Sequence, residues 1–200
     1  MKKITTNNVF VKDNAKGRDG STVQTAVGDA EGGDSSAIRT HEGNAKSGDN
    51  SAIRTHEGNA EGGGYSAVRT YEGDAEGGDS SAIRTHVGNA KSGDYSAIRT
   101  DEGDAKGGDN SAVRTHVGNA EGGDYSAVRT SYGNAEGENS SAVLGTRCKI
   151  GDNSVGLCID NSGKPTEIVV SCERTVPITY DNQSSNWCKG RCNGRSNKIT

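Results

Sequence analysis

Gly43–Glu57 reads GNAKSGDNSAIRTHE and Gly88–Glu102 reads GNAKSGDYSAIRTDE, two stretches of 15 residues that differ at two positions. The units between and around them keep the same frame from about Asp13 to Arg147. The consensus is Gly-[Asn/Asp]-Ala-[Glu/Lys]-[Gly/Ser]-Gly-Asp-x-Ser-Ala-[Ile/Val]-Arg-Thr-x-x. Such a period is too short for a helical-hairpin repeat and long enough for one turn of a β-solenoid. The fold class expected is all-β: a β-solenoid (β-roll) of 15-residue coils, single-chain or oligomeric.

Composition narrows the choice. Hydrophobic residues make up 29% of the 200, aromatic residues 4%, and 30 are Gly. An ordinary globular core needs about 45–50% apolar residues, whereas the regular apolar positions here are Ala, Ile and Val, enough for a thin interior in which each layer covers the next. Disorder shares this composition. Against it stands one β-branched aliphatic residue per unit, locked in phase from Ile38 and Ile53 to Val128 and Val143.

In Ser-Ala-[Ile/Val]-Arg-Thr, alternation sends Ser36, Ile38 and Thr40 to one face and Ala37 and Arg39 to the other. The aliphatic residue belongs inside, so Arg belongs outside. Gly-[Asn/Asp]-Ala reads as a turn entering a second short strand, because Gly and Asn tolerate left-handed backbone angles. Ala30, Ala45 and Ala60 then face the Ile/Val column from across the interior. Roughly nine coils at about 4.8 Å each give a rod on the order of 40 Å long. The Glu/Lys site (Glu31, Lys46, Glu61, Glu76, Lys91, Lys106, Glu121, Glu136) has opposite charges at four of its seven junctions, which relieves repulsion in part.

Three segments follow: residues 1–12 as a lead-in or cap, 13–147 as the solenoid, and 148–200 as a Cys-containing cap or small domain. The ends degenerate as a stack needs if its open faces are to be closed. Gln24 replaces Arg in the first coil, Leu144 and Gly145 replace Arg-Thr in the last, and Gly151–Val155 (GDNSV) echoes the motif out of phase.

The richest functional feature is an arginine column: Arg39, Arg54, Arg69, Arg84, Arg99, Arg114 and Arg129. A row of guanidinium groups on one face can engage sulfate, phosphate or carboxylate polymers. The competing reading pairs each Arg with a nearby carboxylate such as Asp34, Asp49, Asp79 or Asp94, or buries it in a subunit interface. His41, His56, His86 and His116 share one outward site with Tyr71, Asp101 and Ser131. Such uneven replacement suits solvated surface better than a metal or catalytic site. No triad, phosphate loop or paired-carboxylate site is visible, so no catalytic residue, metal site or cofactor is assigned. The Thr column resembles the flat face of ice-binding solenoids, but alternation turns it inward.

Cys148, Cys158, Cys172, Cys188 and Cys192 all lie in the last quarter. Their clustering suggests disulfides stapling a poorly cored cap, with one thiol of the odd five left over. A zinc site is the rival, although only Cys188-x-x-x-Cys192 has short spacing. Disulfides imply an oxidising compartment, and the repeats an extracellular, surface or virion setting, yet the opening MKKITTNNVFVK lacks the apolar core of a signal peptide. Formal net charge is −4, with +3 in residues 145–200 and −7 before them. Neither value calls for nucleic acid as a partner. No stretch has the apolar length of a membrane span.

Units such as Gly58-Asn-Ala-Glu-Gly-Gly-Gly-Tyr-Ser-Ala-Val68 resemble the head repeats of YadA-like trimeric autotransporter adhesins and related phage fibre repeats. The resemblance covers about residues 13–155 and implies a left-handed β-roll. Here the period is 15 where that family has about 14, and Arg stands where it usually has Gly. The function expected is non-enzymatic: a structural or adhesive repeat protein presenting a laddered surface to a partner or to itself. The alternatives are end-to-end fibre formation in the manner of functional amyloid, and polyanion binding through the arginine ladder.

Overall fold

The computed structural model describes residues 2–3, 8–159, 162, 164–171 and 196–198. Every regular element among them is a strand. Each coil contributes a long strand, such as Ala52–Glu57, and a short one, such as Ala45–Lys46. The long strands form a 13-stranded sheet and the short ones an 11-stranded sheet. Pairing is parallel and in register, so like faces like: Val68 lies beside Ile53 and Ile83, and Arg69 beside Arg54 and Arg84. This is the expected β-solenoid, with about 10 turns.

The interior follows the alternation of the long strand. Ile53 is buried between Ser51 and Thr55, while Ala52, Arg54 and His56 are exposed. Across from the Ile/Val column, the short-strand alanines from Ala15 to Ala135 complete one continuous core. Burying each Ile or Val stabilises by about 1.5–3 kcal/mol relative to leaving it in water. The polar columns beside it satisfy themselves among the described residues, except at Ser21, whose Oγ is buried without a hydrogen-bond partner. Thr55 Oγ1 donates to the Gly58 carbonyl at 3.1 Å. Ser66 Oγ accepts the Ser51 N–H at 3.2 Å. The threonines are therefore inward, which removes a flat ice-binding row.

Two turns close each coil. Gly58 has φ +125°, and a Cβ there would sit 2.2 Å from the Gly43 carbonyl oxygen, so the position demands glycine twice over. At the other turn a non-glycine residue adopts left-handed angles in every repeat from Ser35 to Asn153. Tyr65, Tyr95 and Tyr125 occupy it in alternate coils at φ near +56°, each about two-thirds exposed. Except at Gly64, an asparagine or aspartate side chain lines these turns and accepts a backbone N–H of the next coil. Asn44 Oδ1 takes the Asn59 N–H at 2.9 Å, and Asp34 Oδ1 takes the Asp49 N–H at 2.9 Å.

The stack continues beyond Arg147. Cys148 pairs with Ala135 and Val155 with Ala142, an offset of 13 residues in place of 15. Thr146 takes the place of the usual turn glycine, its Oγ1 donating to the Gly133 carbonyl at 2.6 Å. The shortened coil returns GDNSV to phase: the Asp152 N–H reaches Asn139 Oδ1 at 2.9 Å, and Ser154 joins the serine column. After Val155–Ile159 the long sheet reverses direction, adding Pro165–Val170 and Ser196–Lys198 antiparallel.

The disulfide staple expected of this end does not join Cys148 to Cys158, which approach to 3.4 Å without bonding to each other. Cys148 Sγ–H donates to the Leu157 carbonyl at 3.2 Å, and Cys158 is buried inside the last rung. Cys172, Cys188 and Cys192 lie outside the described residues.

Candidate functional site

The outer face of the long sheet carries three parallel columns set by side-chain alternation: alanines from Ala37 to Ala142, arginines from Arg39 to Arg129, and the mixed His41-to-Ser131 column. All seven arginines are exposed. Backbone register places each beside its counterpart in the neighbouring coils, one coil pitch away. The arginines stand as a ridge. On one side runs a shallow apolar strip along the alanines. On the other lies an open groove of about 940 Å³, walled by Arg39, Arg54, Arg69 and Arg84 and by the rings of His41, His56, Tyr71 and His86.

The pairing of these arginines with turn carboxylates, weighed from sequence, is overturned. Among the described residues one arginine reaches a carboxylate, Arg99 to Asp101 at 3.4 Å. Asp34, Asp49, Asp79 and Asp94 point along their own turn and accept backbone N–H groups from the coil above, Asp49 from Gly64 at 2.8 Å and Asp79 from Asp94 at 2.9 Å. The other six guanidinium groups of the column have no ion pair among the described residues.

The opposite face behaves otherwise. The short-strand column runs Lys16, Glu31, Lys46, Glu61, Glu76, Lys91, Lys106, Glu121, Glu136, Lys149, longer by one lysine at each end than the motif count indicated. Its members close into five ion pairs: Lys16–Glu31, Lys46–Glu61 at 2.6 Å, Lys91–Glu76 at 3.2 Å, Lys106–Glu121 and Lys149–Glu136. The pairs fall at alternate coil junctions. Hydrogen bonding to Glu61 and to Glu136 holds Lys46 and Lys149 above the ordinary lysine range.

Sequence reading missed the ring ladder. His41, His56, Tyr71 and His86 meet in succession with centroids 4.9, 5.0 and 4.8 Å apart, the last two contacts stacked. In-register stacking at the coil pitch forces this contact wherever consecutive coils carry rings at one position, and the substitution pattern itself was the available signal. The run ends at Asp101, whose Oδ2 lies 3.1 Å from His86 Nδ1. That hydrogen bond, supported by the Arg99 charge, holds the Asp101 carboxyl below the usual carboxylate range, with desolvation opposing. Asp101 therefore divides the arginine ridge into an unpaired run from Arg39 to Arg84 and a shorter one at Arg114 and Arg129.

Among the described residues no group of three or more His, Cys, Asp or Glu is placed to hold a metal ion. No helix among them is long and apolar enough to cross a membrane. The groove brings guanidinium donors beside imidazole and phenol groups on one sheet face. No family model, curated protein or solved structure matches this chain, so the likeness to YadA-like heads and phage fibre repeats rests on the coil pattern alone.

Proposed function

We propose that this protein is a non-enzymatic structural solenoid whose long-sheet outer face is its working surface, docking onto an extracellular, surface or virion partner. One observation carries the reading: among the described residues six arginines in register lack carboxylate partners, while every lysine of the opposite column has one. Partnerless, exposed guanidinium groups repel one another, and a stack that neutralises one face fully has the means to neutralise the other. A partner carrying negative charge supplies what the chain leaves out. The resemblance to adhesin heads and fibre repeats supports a display role for the rod. End-to-end fibre growth is disfavoured by the antiparallel strands that follow Val155–Ile159, which interrupt parallel in-register addition at that sheet end.

Sedimentation velocity over a wide concentration range, with negative-stain images of the same samples, tests this. Discrete short rods are expected throughout. Filaments that lengthen with concentration would overturn the reading in favour of self-stacking.

A further inference from the structure

We infer that the run from Arg39 to Arg84 binds an extended acidic polysaccharide, its chain lying along the solenoid axis with about one sugar per coil; this rests on the long-sheet face being the working surface. The four arginines are exposed, free of ion pairs, and wall a groove whose other side is the ring column from His41 to His86. They repeat at the coil pitch of about 4.8 Å, so the run spans roughly 14 Å. A pyranose in an extended chain advances by nearly one such step and successive sugars turn over, so same-side carboxylates or sulfates recur about every two coil pitches and a pair of neighbouring guanidinium groups serves each one. Charged bidentate contacts of this kind are what Arg makes best. The imidazole and phenol groups opposite offer hydrogen bonds that sugar hydroxyls can return.

Two other polyanions fit less well. An extended acidic peptide presents same-face side chains every 6.4–6.8 Å or so, out of step with the ladder. Single-stranded nucleic acid gains its affinity from bases stacked on free aromatic faces, and here His56, Tyr71 and His86 are stacked on one another. The ligand run stops at Asp101, which faces both His86 and Arg99 and places a negative charge on the track.

Calorimetric titration of the full chain with sulfated and uronate oligosaccharides, poly-glutamate and single-stranded DNA of matched charge, at several salt concentrations, decides it. The oligosaccharides are expected to bind tightest. Arg54→Gln with Arg69→Gln should weaken them at least tenfold and reduce the salt slope by about two. Arg114→Gln with Arg129→Gln should weaken them less than threefold, and Asp101→Asn should tighten them. Equal losses from the two double variants, or tighter binding of poly-glutamate or DNA, would overturn the polysaccharide assignment. If the oligosaccharides fail but Arg54 and Arg69 still govern binding of another polymer, the ligand class is wrong and the working face stands. If no substitution on this face alters any interaction, both fall. Circular dichroism and unfolding of each variant confirm that the coil stack persists.

Discussion

On the short-strand face, five lysines meet five glutamates and each carboxylate is used once; on the long-strand face, seven arginines stand in one column and a single aspartate reaches any of them. Both faces grow from the same repeat, the same pitch and the same core. The difference lies in which side chains the in-register stack sets against each other. Mixing Glu with Lys lets every member of the column find an opposite neighbour on one side, whereas an invariant Arg turns self-stacking into repulsion that only an outside partner relieves. The comparison teaches that uniformity along a column, and not charge as such, marks a surface that looks outward.

The largest effect tests whether the two faces share one support. Ile83 is buried between Val68 and Ile98, and Ile83→Ala should cost about 3 kcal/mol in urea unfolding, while oligosaccharide affinity at low temperature stays unchanged. Loss of binding in parallel with stability would mean that the arginine ridge is not held independently of single core contacts.

The turn edge sharpens the contrast next. Tyr95 adopts φ +56° where Asn50 and Asn110 do the same, and left-handed angles cost a bulky residue more than they cost asparagine. Tyr95→Asn should raise stability by about 1 kcal/mol, read as a higher urea midpoint. No gain would show that the exposed ring makes contacts worth as much as the backbone strain.

Smaller still is the ion pair on the neutralised face. A double-mutant cycle on Glu76 and Lys91, both more than half exposed, should return a coupling of about 0.2–1 kcal/mol at low salt that vanishes at high salt. Oligosaccharide titrations should not respond to either substitution. A response would blur the division between the two faces.

The smallest effect is acid sensitivity at Asp101. Its carboxyl is held low by His86 and Arg99, so it contributes stability above the ordinary carboxylate range, and that contribution is lost as pH falls through its lowered value. Partial exposure to solvent screens the effect. Thermal midpoints of the native chain and of Asp101→Asn should differ slightly at neutral pH and converge in strong acid; divergence in acid would contradict the assigned direction.

Much of this architecture was legible before any coordinates. Period and alternation alone put Ile38, Thr40 and Ser36 inside and Arg39 outside, because a strand in register has only two sides to offer. What stayed hidden depended on turn geometry. Asp34 and Asp49 look available to any arginine in a linear reading, yet the left-handed turn aims each at the backbone of the coil above. The slip from 15 to 13 residues did leave a mark, GDNSV two residues out of phase at Gly151–Val155, but only the register shows that the shortened turn at Thr146 returns it to the stack. Cys148 and Cys158 misled for a related reason. Clustered cysteines signal stapling where a core is thin, but one more rung of the stack covers this end of the chain.

The five Lys–Glu couples give the rod a parity. Duplicating or deleting one repeat strands a charge and leaves an odd member in the column, whereas gaining or losing a matched two-rung unit such as residues 43–72 leaves every remaining couple intact. Changes of rod length are therefore gentler in steps of 30 residues than of 15, and the tyrosines at 65, 95 and 125 already keep that longer beat.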